Sequence, residues 1–192
     1  MTGLAKFRAE GAGDPVSEVP LVVPSNPFRR TLAFDQSLSN TGVVLLIGER
    51  ILHTDNIKIE AKAEGTVEDY LRRAAELDRE IRRMILFHQP DVVAIESPPM
   101  GRAALRSAES SVMSAAVIGV AASHLPLMVV QNQRAKKRLT GIGNAKKPEV
   151  KRAVELMLQR MGQDKPRPFN EAVADALAVG WYSCEQAVRE DG

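Results

Sequence analysis

TLAFDQSLSNTGVVLLI, residues 31–47, decides the fold. Thr31, Leu32, Ala33 and Phe34 form a short apolar run that ends on Asp35. Gln36 to Gly42 reads as a polar turn, and Val43 to Ile47 is a second apolar run. Two such runs joined by Ser, Asn and Gly read as a hairpin. Gly48 to Arg50 turn the chain again, and Ile51 to Ile59 alternates enough for a third strand, completing a meander.

Downstream of the meander the period changes. Thr66 opens a long helix, with Asp69 three residues on in a near capping-box arrangement. Val67, Tyr70, Leu71, Ala74, Leu77, Ile81, Met84 and Ile85 recur at helical spacing until Pro90 stops them. Asp91 to Glu96 (DVVAIE) has no alternation and reads as a short strand buried on both faces. A helix over about Arg102 to His124, a strand at Leu127 to Val130 and a loop holding Gly141 and Gly143 follow. Asn144 is placed to cap a helix over about Lys146 to Met161, and a last helix runs from near Asn170 to about Val188. The order β-β-β-α-β-α-β-α-α implies an α/β fold, a five-stranded mixed sheet flanked by helices. Residues 1–28, with Gly11, Gly13, Pro15, Pro20, Pro24 and Pro27, read as a flexible lead-in in which Leu21 to Val23 offers at most an edge contact. Residues 29–192 are then one domain.

Composition narrows the function classes. Aromatic residues make up 4% of the 192-residue chain, so stacking of bases on an aromatic platform is not the expected binding mode. One cysteine, Cys184, rules out an internal disulfide and a multi-Cys zinc site, and reads as a packing residue of the last helix. No apolar stretch is long enough for a membrane span, and the N-terminus lacks a basic-then-apolar signal pattern, so cytoplasmic residence is the default expectation. The net charge is only +2, but Arg134, Lys136, Lys137, Arg138, Lys146, Lys147, Lys151 and Arg152 cluster with only Glu149 against them. Such an excess suits a phosphate-binding surface, and equally a solvated helix face.

Three carboxylates occupy unusual places. Asp35 and Glu96 each end an apolar strand, and Asp175 lies within the apolar helix segment VADALAV. A buried carboxylate costs several kcal/mol unless a cation compensates it. If the three converge, their repulsion calls for a metal or several basic partners, and hard oxygen ligands suit Mg²⁺ or Mn²⁺. Taken singly, Asp35 could brace the turn after it, Glu96 could be the first solvated loop residue and Asp175 could pair with a neighbouring cation.

At these positions the chain resembles a family. LAFDQSLSNTGVVLL is similar to the first strand and hairpin of RuvC-type Holliday junction resolvases, of the ribonuclease H-like superfamily. VVAIESPPM resembles the family's second carboxylate strand, LTGIGNAKKPEVKRAVELML its glycine-lysine loop and following helix, and NEAVADALAVG its closing helix. The resemblance covers about Thr31 to Tyr182 and fits a divergent or phage-type member. It implies a Mg²⁺-dependent DNA endonuclease, with Mn²⁺ able to substitute, that acts as a homodimer on four-way junctions by paired symmetric nicks leaving 5′-phosphate ends. Asp35 would bridge two ions, with Glu96 and Asp175 holding one each. Lys147 and Lys136 match basic positions near the scissile strand. Lys137, Arg138, Asn144, Lys146 and Arg102 are further DNA-contact candidates. Two positions depart from the family's pattern. Ala172 stands where a fourth ligand is usual; Glu171, one helical turn before Asp175, is the candidate substitute or else a first-turn Glu favouring the helix dipole. Pro99 stands where cellular members carry a wedging aromatic, leaving Met100 as the substitute. Two other readings remain, a branched-DNA-binding protein that cleaves poorly and a broader flap or branch nuclease.

The helix over Arg102 to His124 is a candidate dimer surface, since Ala103, Ala104, Ala108, Ala115 and Ala116 permit close approach; plain core packing is the alternative. His53, His88 and His124 show no metal-ligand spacing and read as structural or solvated. Gly141-Ile142-Gly143 lacks the Lys-Ser/Thr ending of a Walker motif and reads as a close approach of backbone to a DNA phosphate.

Overall fold

The computed structural model describes residues 29–62, 66–98 and 105–189. The meander is β1 (Arg30–Asp35), β2 (Asn40–Ile47) and β3 (Arg50–Lys58), followed by α1 (Val67–His88), β4 (Val92–Glu96), α2 (Leu105–Ala121) and β5 (Leu127–Val130). Three helices close the chain: α3 (Asn132–Thr140), α4 (Lys147–Arg160) and α5 (Glu171–Arg189). The five strands form one sheet in the order β3-β2-β1-β4-β5. β1 pairs antiparallel with β2 and parallel with β4, and β4 pairs parallel with β5. The expected five-stranded mixed sheet is therefore present.

The period of two along each strand divides the core into two layers. Leu32 and Phe34 of β1 and Val43 and Leu45 of β2 face Leu77, Ile81 and Met84 of α1 and Ile118 of α2. On the other face Val44 and Leu46 meet Val154 and Leu158 of α4 and Val173, Leu177 and Trp181 of α5. Ala33 and Ala94 on that face meet Ala178 and Val179, and such small side chains let α5 lie close to the sheet. Gly42 is the tightest point, because a Cβ there would collide with the Ala172 carbonyl at the start of α5. That contact brings the first turns of α5 to the end of the β1–β2 hairpin, where Asp35 pairs with Gly42.

Several local expectations change. Thr66 caps α1 by accepting from the Asp69 N–H, but the Asp69 carboxylate does not complete a capping box. It accepts from the Lys62 N–H and pairs with Arg72 and Arg73 instead. The stretch after β5, read as a loop, contains α3. Its sequence NQRAKKRLT buries only Ala135, too little apolar patterning to reveal a helix. α4 is capped at Lys146 rather than Asn144, with Glu149 Oε2 accepting from the Lys146 N–H at 2.6 Å. α5 starts as expected, with Asn170 accepting from the Val173 N–H at 2.9 Å. His53 and His88, read as separate, bring their rings to 4.7 Å across β3 and the end of α1. Leu21 to Val23, Pro99, Met100, Arg102, Ala103 and Ala104 lie outside the described residues. Among the described residues, no helix is long and apolar enough to cross a membrane.

Candidate active site

β1 and β4 are parallel neighbours, so their C-terminal ends lie side by side at one edge of the sheet, and they carry Asp35 and Glu96. Gln36 ties these ends together. Its side-chain amide donates to the Glu96 carbonyl at 2.5 Å and accepts from the Glu96 N–H at 3.0 Å. The turn after Asp35 is closed by Thr41 Oγ1, which accepts from the Ser37 N–H and donates to the Ser37 carbonyl. Asp175, one turn into α5, is buried, and its Oδ1 has no hydrogen-bond partner.

The electrostatics show that the three carboxylates act on one another. Asp35 is pushed up from 3.8 to about 8, first by burial and then by the charges of Asp175 and Glu96 and a hydrogen bond with Glu96. Asp175 is pushed up to about 6, first by burial, while Lys136 and Lys147 oppose the rise and Glu96 and Glu171 add to it. Among the described residues, no three Asp, Glu, His or Cys side chains are grouped closely enough to hold one metal ion as they stand. What Asp35, Glu96 and Asp175 share is an acidic electrostatic neighbourhood that Lys136 and Lys147 offset only in part. The unpartnered Asp175 Oδ1 and the raised carboxyls are what a hard divalent cation would relieve, so this donor set fits such an ion.

Lys147 opens α4 at the rim, with its Nζ 3.9 Å from Glu171 Oε2. Glu171 is half exposed, on the side of α5 that leads to Asp175, whereas Ala172 is packed into the protein. Lys136 is half-buried on α3, while Lys137, Asn144 and Lys146 are exposed nearby in sequence. Two members of the basic cluster are engaged elsewhere. Arg138 pairs with Glu185 of α5 at 2.6 Å, and Lys151 stands over the Phe169 ring. Glu149, the only acid of that stretch, is committed to the α4 cap.

Two residues that sequence reasoning missed touch the cluster: Gln36, and Asn132, whose Nδ2 donates to Glu96 Oε1 at 2.5 Å. Adjacency to Asp35 was the only signal for Gln36. Asn132 had none, because the helix that carries it was not legible.

The fold and site define a class: a five-stranded mixed α/β sheet with Asp35 and Glu96 at the ends of two parallel strands and Asp175 on the closing helix. The sequence model of the family described as crossover junction endodeoxyribonuclease RuvC matches residues 37–181, beginning two residues after Asp35. The chain belongs to this RuvC family of DNA endonucleases, which depend on metal ions. The RuvC of Xanthomonas axonopodis pv. citri is 30% identical over 154 residues, 78% of this chain and 84% of its own. That of a Synechococcus strain is 32% identical over 113 residues, 57% of this chain and 68% of its own. The solved structure of T. thermophilus RuvC in complex with Holliday junction substrate shares the fold with a TM-score of 0.68 at 21% identity. The match covers 84% of this chain and 96% of that one.

Proposed function

We propose that this protein resolves four-way DNA junctions as a homodimer, each protomer nicking one strand at a centre built from Asp35, Glu96 and Asp175. The observation that carries this reading is the electrostatic coupling of Asp35 and Glu96 at the ends of two parallel strands with Asp175 of α5, with Asp35 and Asp175 held well above the ordinary carboxylate range and Asp175 Oδ1 unpartnered. Asp35, which feels the charges of both other acids, would hold Mg²⁺ together with Glu96 and Asp175. Mg²⁺ held there would supply water activation and charge stabilisation for a phosphodiester cleavage that leaves 5′-phosphate ends.

The chain's own groups do the rest. Glu171 reaches toward the same centre from the rim and replaces the ligand absent at Ala172, while Lys147 and Lys136 offset phosphate charge as the strand approaches. The Gly141–Gly143 turn, Asn144 and the first amides of α4 line the path of the backbone, with Lys137 and Lys146 beside them. Arg138, paired with Glu185, contributes least of the cluster.

A symmetric dimer matches the two-fold symmetry of the junction. On α2, Val112, Ala116 and Val120 form an exposed stripe at helical spacing, while Ala115 packs toward the core; the stripe serves as the dimer surface. A DNA substrate and a lone unbridged cysteine support residence in the cytoplasm.

The test is cleavage of an end-labelled four-way junction with Mg²⁺ or Mn²⁺, comparing wild type with Asp35→Asn. Symmetric paired cuts that vanish in the variant are expected. Binding without cuts would make the protein a branched-DNA-binding module, and equal cleavage of three-way and flap substrates would make it a broader branch nuclease.

A further inference from the structure

Glu96 is the most tightly held of the three carboxylates. It pairs in register with Val130 at the end of β5, and the Ser97 N–H donates to the Val130 carbonyl at 2.7 Å, so strand pairing continues past the acid. α3 begins two residues after Val130, which delivers Asn132 to Glu96 Oε1 at 2.5 Å. Gln36 holds the same residue's backbone from the β1 side. Lys136 follows Asn132 by one helical turn, so one face of α3 serves two acids of the cluster: Asn132 through its bond to Glu96, and Lys136 through its charge on Asp175.

An amide hydrogen bond to one carboxylate oxygen occupies one of that oxygen's lone pairs and fixes the orientation of the group. We infer that Asn132 is a positioning residue that, through its contact with Oε1, disfavours two-oxygen coordination by Glu96, and so tunes the centre toward small octahedral ions and against Ca²⁺. The inference rests on the metal-centre reading above. Its physical basis is the difference between the ions: Ca²⁺ accepts bidentate carboxylates and a high coordination number, whereas Mg²⁺ demands near-octahedral geometry with few carboxylates. Mn²⁺ shares that preference for an octahedral oxygen shell. Freeing Oε1 offers the larger ion its bidentate mode and loosens the carboxylate for the smaller ones.

The test uses the full chain without DNA. Mn²⁺ binding is followed by the electron paramagnetic resonance signal of free Mn²⁺, then by displacement with Ca²⁺, for wild type, Asn132→Ala and Asn132→Leu. Because losing a partner that orients a metal ligand typically costs ~10–100-fold in affinity, the ratio of Mn²⁺ to Ca²⁺ affinity should fall at least about tenfold in both variants. Asn132 is half-buried in the first turn of α3, so metal-free melting temperatures should stay within a few degrees of wild type, and the fall in the ratio is what a purely structural role would not produce. An unchanged ratio, or metal-free unfolding of both variants, overturns the inference while leaving the centre intact. If wild type binds neither ion and Asp35→Asn behaves identically, the metal-centre reading itself fails and takes this inference with it.

Discussion

Removing the Asp35 carboxyl should make the metal-free protein more stable while abolishing cleavage. Burial and the Asp175 and Glu96 charges hold Asp35 at about 8 instead of 3.8. Below pH 3.8 the folded and unfolded chains both keep the proton, and the buried acid costs nothing through ionisation. As the pH rises from about 4 to 8, the unfolded chain releases its proton first, so native stability falls until the folded carboxyl also ionises. At about 1.4 kcal/mol per pH unit, the penalty above pH 8 reaches at most about 6 kcal/mol. Asn has no proton to release, but its own amide must find partners, so a net gain of about 2–4 kcal/mol is expected for Asp35→Asn. For a chain of this size that is roughly 5–15 °C in melting temperature. Thermal melts of both proteins in EDTA at pH 4 and pH 8 read it directly: a gap at pH 8 that closes at pH 4, and narrows at pH 8 when Mg²⁺ stabilises only the wild type. A variant no more stable than wild type at pH 8, or an equal gap at both pH values, would falsify the account of a cation-demanding acidic cluster.

The remaining predictions concern the surroundings of that cluster. Glu171→Gln should slow junction cleavage and raise the Mg²⁺ concentration needed for half-maximal rate; cleavage at the wild-type rate would show that Ala172 has no substitute at this position. Lys136→Ala and Lys147→Ala should each lower junction affinity and reduce the slope of log affinity against log salt by about 1, measured by fluorescence anisotropy. An unchanged slope would place the Lys side chain off the phosphate path. Gly42→Ala should destabilise the fold by about 3 kcal/mol or more, because its Cβ meets the Ala172 carbonyl in a contact between backbone segments that have no rotamer to escape into. Denaturant titration checks it, and a loss under 1 kcal/mol would mean that α5 can shift freely on the sheet.

The apolar runs of residues 31–35, 43–47 and 92–96 are legible in the sequence because strand burial is written as a local pattern, and all appear as strands of the sheet. The acids at the ends of two of them, and Asp175 within an apolar helix face, were equally visible, because a charge placed in an apolar context stands out without any fold. Sequence by itself thus determined the fold class and the family, and marked the three carboxylates as candidates. α3 was not legible, since a short helix that buries one alanine has almost no periodicity. The electrostatic coupling of the acids, the Gln36 bridge to Glu96, the Asn132 contact and the His53–His88 pair were decided only by tertiary structure. Each joins residues more than thirty positions apart. Such contacts depend on parallel strand register and on how closely α5 settles over Gly42, and neither leaves a local periodic trace in the chain.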